Sequence, residues 1–376
     1  MQDKVLPVNL NIGIVGAGGF AQFAATAFLK VTGIKIVAVT DINEAIAIQM
    51  AAAFSTAVYV DYEMILKDKN IELVYIATPP FLHYEQSKMA LMTGKHVICE
   101  KPAALQVTEA EELRILATSR QLLYVVNLMQ RYNPLYAIVK KIVNEKLLGN
   151  FLHGFFENYA SDEKLNADHW FWDDLKSGGI FIEHGVHFFD MFSGWLGEGN
   201  VVCAVQLQRP GIERKIIDRV QATVLYREGV VSFYHGFDQP GILDRQEMRL
   251  QFERGEISLY EWVPVMMKLH GLLEKQELEK LQEMLGTASV VHHNERQPAN
   301  QKVRGRFSEI SFDDHVTVEY GNVLEKQNRY QEMLAAMIVD QWNWIRDQKH
   351  IRVIDSSNAV RSLEMAEQAT RIAQKF

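Results

Sequence analysis

The chain has 376 residues, 48% hydrophobic and 23% charged, which is enough apolar material for two cores and lacks the bias of a disordered or fibrous sequence. A formal net charge of −8 offers no basic field for a phosphate backbone, so nucleic acid is set aside and a small molecule is the expected partner. Two cysteines, Cys99 and Cys203, cannot build a disulfide framework, and no apolar run approaches the roughly 18 residues that span a bilayer, so a reducing cytoplasmic setting with no membrane is expected.

The start, Met1 to Pro7, carries Asp3 and Lys4 and shows no signal-peptide core. From Leu10 to Val126 short β-branched runs alternate with helical stretches. Strands are expected at Leu10–Val15, Lys35–Thr40, Ala57–Val60, Leu73–Ile76, His96–Cys99 and Leu123–Val126, with helices at Phe20–Val31, Asn43–Phe54, Leu82–Thr93 and Thr108–Arg120. Strands apolar along their length and separated by crossovers imply a parallel sheet covered on both faces, a doubly wound α/β domain.

The first turn reads Gly16-Ala17-Gly18-Gly19-Phe20-Ala21, a Gly-x-Gly-x-x-Ala spacing between a strand and a helix. The first glycine makes the tight turn, the second admits a pyrophosphate, and the small third residue lets the helix pack closely. Amides at the helix start then face the anion. Asp41, at the end of the second strand, can accept from a ribose 2′-hydroxyl and repels a 2′-phosphate, which favours NAD over NADP. A helix N-cap before Asn43 is its alternative use. Later loops at carboxyl ends of strands, Ala77-Thr78-Pro79-Pro80-Phe81-Leu82-His83 and Cys99-Glu100-Lys101-Pro102, fall where open α/β sheets bind ligands.

Past residue 126 the texture changes, so the expected domains are 1–126 and 127–376, with the C-terminal helix able to pack back on the first. Asn127 and Arg131 lie at the junction. A helix after Asn133-Pro134 ends at Gly149, and a strand follows at Phe151–Ala160. In His169-Trp170-Phe171-Trp172-Asp173-Asp174, Trp170 or Trp172 is a candidate wall for a sugar's apolar face, although core packing is the commoner use of Trp.

Glu183, His187 and Asp190 come next at i, i+4 and i+7 among Phe181, Ile182, Val186, Phe188 and Phe189. On a helix they share one apolar-flanked face, where only paired polar groups are tolerated. Either they pair for packing, as His187 and Asp190 could at i, i+3, or a cleft holds them for proton transfer. His184 and Glu183 point to different faces, which speaks against a metal.

Alternating runs then predict a strand at Val201–Arg209 and hairpins, Arg219–Tyr226 with Val230–Phe237 and Glu247–Glu253 with Glu256–Trp262, hence an α+β second domain with a mostly antiparallel sheet. Leu269–Leu285 reads as a surface helix, His292–Arg306 as a loop, and Asn328–Gln348 and Ser356–Gln374 as amphipathic helices.

The glycine loop, ATPPFLH, CEKP, NLMQRYNP and SGGIFIEHGVHFFD occur in the order seen in the Gfo/Idh/MocA oxidoreductases, which the chain resembles over nearly its whole length. The resemblance implies an NAD(P)-binding Rossmann domain and a C-terminal domain with a large, mainly antiparallel open sheet, used for homodimers or homotetramers. It implies hydride transfer between nicotinamide and a hydroxyl of a sugar, sugar derivative or cyclitol. By motif, Lys101 matches the active-site lysine and His187 the proton-transferring histidine, while Glu183 stands where many members have Asp. The expected catalytic set is Lys101, His187 and Glu183. Gly16, Gly18, Gly19, Phe20, Ala21, Asp41, Thr78, Pro79, His83, Glu100 and Lys101 are expected at the cofactor, NAD. Asn127, Arg131, Trp170, Trp172 and Asp190 are expected at the substrate, with no metal. Glycoside cleavage through bound NAD and NAD sensing without catalysis are the alternatives.

Overall fold

Strands β1 (Leu10–Val15), β2 (Ile34–Thr40), β3 (Ala57–Val58), β4 (Leu73–Ile76), β5 (His96–Cys99) and β6 (Tyr124–Val126) pair in parallel in the order β3-β2-β1-β4-β5-β6. The computed structural model of the chain describes residues 9–162, 165–211, 215–293, 300–305, 309–322 and 325–374; the segment Met1–Pro7 read above lies outside them. β4 and β6 are buried along their whole length, as a sheet covered on both faces requires. The crossovers carry α1 (Gly19–Phe28), α2 (Glu44–Phe54), α3 (Tyr62–Lys67), α4 (His83–Met92) and α5 (Val107–Arg120).

Chain order reverses between β1 and β4, which opens a crevice at their carboxyl ends. Hydrogen bonds continue past the strand ends there. The amides of Gly16, Ala77, Glu100 and Asn127 donate to the carbonyls of Thr40, Val15, Ile76 and Cys99 at 2.9, 2.8, 2.8 and 2.8 Å. The starts of four loops are thereby aligned on one edge.

Contacts divide the chain into two compact units: the first takes residues up to Tyr132 together with Trp170–Asp190 and Tyr330–Glu367, and the second takes the rest. Residues 170–190, and residues 330–367 with most of the C-terminal helix, make their contacts in the first unit although they follow residue 127 in the chain.

Beyond β6 the helices are α6 (Pro134–Glu145), α7 (Asp174–Ser177), α8 (Val186–Leu196), α9 (Lys275–Leu285), α10 (Lys326–Arg346) and α11 (Ser356–Ala373). The strands are β7 (Phe151–Tyr159), β8 (Asn200–Gln208), β9 (Ile217–Leu225), β10 (Val230–Gly236), β11 (Arg245–Phe252), β12 (Gly255–Tyr260), β13 (Met266–Leu273), β14 (Ser289–His293), β15 (Gln301–Arg304), β16 (Glu309–Phe312) and β17 (Asp314–Gly321). A 9-stranded sheet runs β14-β17-β13-β12-β11-β7-β10-β9-β8, antiparallel except for β7 beside β10, and β15 pairs with β16 separately. Within the second unit, Trp195 donates to the Tyr136 carbonyl at 3.0 Å and Phe192 meets Phe233 edge-on at 5.0 Å, which seats α6 and the end of α8 on this sheet.

The expected helix over Leu269–Leu285 is instead a strand followed by a helix. Met267, Leu269, Gly271 and Leu273 alternate with exposed or half-buried residues, so the period is two as far as Leu273. A capping box between Glu274 and Glu277 then starts α9. The expected loop from His292 also changes, because β14 extends to His293 and residues 301–304 form β15; residues 294–299 lie outside the described set.

Candidate functional site

Gly16 adopts a φ of +90°, and a Cβ there would lie 2.6 Å from the carbonyl oxygen of Ala77, so only glycine lets the loops after β1 and β4 close together. Gly18 and Gly19 are different, because a Cβ on either would meet nothing within 4 Å. That open space lies over the start of α1, where Gly18 makes no side-chain cap and the first amides of the helix have no partner one turn back. Ala21 is buried, as close packing of α1 demands. An open glycine face beside uncapped amides fits a dinucleotide pyrophosphate.

Asp41 accepts from the amides of Ala17 at 2.7 Å and Asn43 at 2.8 Å, tying the glycine loop to the turn before α2. It does not cap α2; the Asn43 side chain does. Its half-exposed carboxylate retains lone pairs for a ribose hydroxyl. Ile42 beside it is fully exposed and brings no cation. The residues present fit NAD.

The segment carrying Glu183 is not the single α-helix expected. Phe181–Gly185 forms a π-helical turn and α8 begins only at Val186, so the i, i+4, i+7 spacing is not one regular stripe. Wider turns of this kind redirect side chains and carbonyls, and here both go to one cation. Lys101, after β5, donates from Nζ to the Glu183 carbonyl at 2.8 Å and pairs with its carboxylate. Both side chains are mostly buried, 19% and 11% exposed, so the pair is little screened. His187 is 5% exposed, and burial, with the charge of Lys101, holds its pKa well below the usual value. A neutral imidazole beside a held ammonium can take a proton from a hydroxyl.

Asp190 is engaged by Arg131 and Asn358. Its carboxylate accepts from Arg131 Nε at 2.7 Å and Nη2 at 2.8 Å, and from Asn358 Nδ2 at 3.3 Å, while its carbonyl takes a further bond from Arg131. Expected as substrate ligands, Arg131 and Asp190 form a bidentate buried pair.

Glu100 is 9% exposed and accepts from Tyr75 and, at 2.8 Å, from Asn127; burial raises its carboxyl against those bonds and against Lys101. Asn127 is only 1% exposed, and its bond to Glu100 braces the end of β5. His83, also expected at the cofactor, is fully buried between two main-chain carbonyls. Thr78 donates to Gln86 of α4 at 2.6 Å, and Pro79 leads into the short helical turn at Pro80. Trp172 is buried edge-on against Phe171 at 4.7 Å, and Trp170 is half-buried on the same ring.

Two contributors have no local signal. Tyr330, in α10, meets Phe23 edge-on at 4.8 Å and Phe20 at 5.9 Å, both on α1, so the Phe20 ring is part of an aromatic cluster at the glycine loop. Asn358, in α11, completes the Asp190 shell. Only an amphipathic pattern marks their helices in sequence.

The first sheet and its glycine loop are those of an NAD-binding Rossmann domain. Residues 10–128 match the oxidoreductase family with NAD-binding Rossmann fold called GFO_IDH_MocA, and residues 136–258 match the GFO/IDH/MocA C-terminal domain. The chain belongs to the GFO/IDH/MocA family. It is 25% identical to Oxidoreductase P35 of Formosa agariphila over 72% of this chain and 86% of that one, and 30% identical to glucose-6-phosphate 3-dehydrogenase of Bacillus subtilis over 48% and 52%. It spans about half the length of most of the curated relatives it matches. Levoglucosan dehydrogenase in complex with NADH and levoglucosan shares the fold, with a TM-score of 0.75 at 18% identity over 98% of both chains. Among the described residues no helix is long and apolar enough to cross a membrane, and no three His, Cys, Asp or Glu side chains gather as metal ligands.

Proposed function

We propose that this chain oxidises a secondary hydroxyl of a sugar, sugar derivative or cyclitol, or runs the reverse reduction. The observation that carries this reading is the Lys101 ammonium fixed by Glu183, with the neutral His187 one turn farther along. Bound NAD supplies the hydride acceptor, held by Gly16, Gly18, Gly19 and Asp41. His187 takes the hydroxyl proton as hydride departs. Lys101 donates to the same oxygen and stabilises its developing negative charge, and Glu183 keeps that ammonium in place. Relatives that bear the names glucose-6-phosphate 3-dehydrogenase and levoglucosan dehydrogenase support a sugar-like substrate.

The test is a panel of glucose 6-phosphate, levoglucosan, free hexoses and inositols with NAD, read by NADH absorbance. Turnover of at least one compound is expected, with Lys101→Ala and His187→Ala each slower by about 10²-fold or more. Parent-like rates in either variant would remove that residue from the chemistry. Release of an aglycone without net NADH would favour glycoside cleavage.

A further inference from the structure

One buried ring joins two of the loops at the carboxyl edge of the first sheet. His83, the first residue of α4, is fully buried, with Nδ1 2.7 Å from the carbonyl oxygen of Pro102 and Nε2 2.7 Å from that of Thr78. Carbonyl oxygens only accept, so each link needs a ring proton. Burial, reinforced by Lys101 and opposed by both carbonyls and by Glu183, lowers the pKa of the ring and so favours the neutral form, which carries a single ring proton.

The two destinations for that proton are not equivalent. Thr78 lies only five residues back, so a bond to it closes a local turn. Pro102 belongs to the loop after β5 and directly follows Lys101, so a bond to it fixes one loop against another. We propose that His83 is a positioning residue for Lys101, carrying its proton on Nδ1 and donating it to the Pro102 carbonyl. Lys101 is thus held at both ends, by Glu183 at its ammonium and by His83 through the main chain beside its Cα. This assignment rests on the reading of Lys101 as the donor to the substrate oxygen.

Asparagine places its amide nitrogen near the position of Nδ1, and glutamine near that of Nε2. His83→Asn therefore keeps a donor toward Pro102, and His83→Gln offers one only toward Thr78. With the best substrate of the panel, kcat of His83→Asn is expected within about threefold of the parent and that of His83→Gln lower by about 10- to 100-fold, since a misplaced catalytic group costs on this order. KM for NAD is expected to be unchanged in both. Equal kcat in the two variants, or a slower asparagine variant, overturns the proposal.

A second measurement needs neither substrate nor variant. Nitrogen NMR of the parent labelled with ¹⁵N-histidine is expected to show a protonated Nδ1 on His83 throughout the pH range of activity, and an unprotonated Nδ1 overturns the proposal even if a variant fails to fold. Lys101→Ala separates the two readings. If it turns over like the parent, the role of Lys101 fails; if it is inactive while the two His83 variants behave alike, only the role of His83 fails.

Discussion

Lys101 reaches Glu183 twice, from Nζ to the main-chain carbonyl at 2.8 Å and to the carboxylate of the same residue. An ammonium has three donors, so this grip leaves one, which on the proposed function meets a substrate oxygen. Glu183→Ala is expected to lower kcat by about 10²-fold with KM for NAD unchanged, and Glu183→Gln, which keeps an acceptor of the same length, to fall between. A raised KM for the sugar at constant kcat would instead make Glu183 a substrate ligand.

Gly18 separates a folding role from a binding role. Its φ of −64° suits any residue and a Cβ there meets nothing, so Gly18→Val is expected to melt with the parent yet lose the stabilisation that NAD confers in a thermal-shift assay. Gly16→Ala, strained at φ +90° and crowding Ala77, is expected to lose about 1–3 kcal/mol without any ligand. Equal behaviour of the two variants would deny the distinction.

Asp41 combines two amide bonds with a carboxylate at the end of β2, where the proposed NAD site has its ribose. Asp41→Asn retains an acceptor and removes the charge, so kcat/KM for NADP is expected to rise by about tenfold while that for NAD changes little. An unchanged ratio of the two cofactors would place the discrimination elsewhere.

The Arg131–Asp190 pair is 10% and 2% exposed at its side chains. Breaking it from either side strands a buried charge, so Arg131→Met and Asp190→Leu are each expected to cost about 3–5 kcal/mol by urea unfolding. The double variant Arg131→Met with Asp190→Leu leaves no stranded charge and is expected to recover part of that loss. Additive losses would show that the pair is not one unit.

Burial lowers His96 to about 4 and His235 to about 3, from an ordinary value of 6.5. The folded state therefore binds fewer protons than the unfolded chain, and the stability of these neutral rings is complete above about pH 6.5 and lost as pH falls toward the folded values. His96 Nδ1 also accepts from the Leu123 amide at 3.0 Å, a bond that a proton on Nδ1 would abolish. The urea midpoint is expected to fall steadily from pH 7 to pH 5; a flat or rising midpoint would contradict it.

Much of the first sheet was legible because its strands are apolar on both faces, and β1, β4 and β5 fall on the expected residues. The glycine loop was legible for a similar reason, since tight turn, open approach and close packing each demand a residue type at a fixed offset. Leu269–Leu285 misled because two elements abut there, and leucines at 269, 272 and 273 satisfy a helical period as easily as a strand's. The π-helical turn at Phe181–Gly185 left no mark that periodicity could register.

What the amino-acid order determined alone is short-ranged: which stretches pair as strands or coil as helices, where the chain turns on glycine, and which ionisable groups sit at loop ends. Partner choice was decided only by the fold. Asp190 lies three residues from His187 yet takes Arg131, 59 residues away, and Lys101 is claimed by Glu183 across 82. A buried charge must be neutralised by whatever counter-charge lies within a few ångströms, and which group that is depends on how distant segments pack. The ionic partners of the site thus belong to the tertiary structure, and its reactive side chains to the sequence.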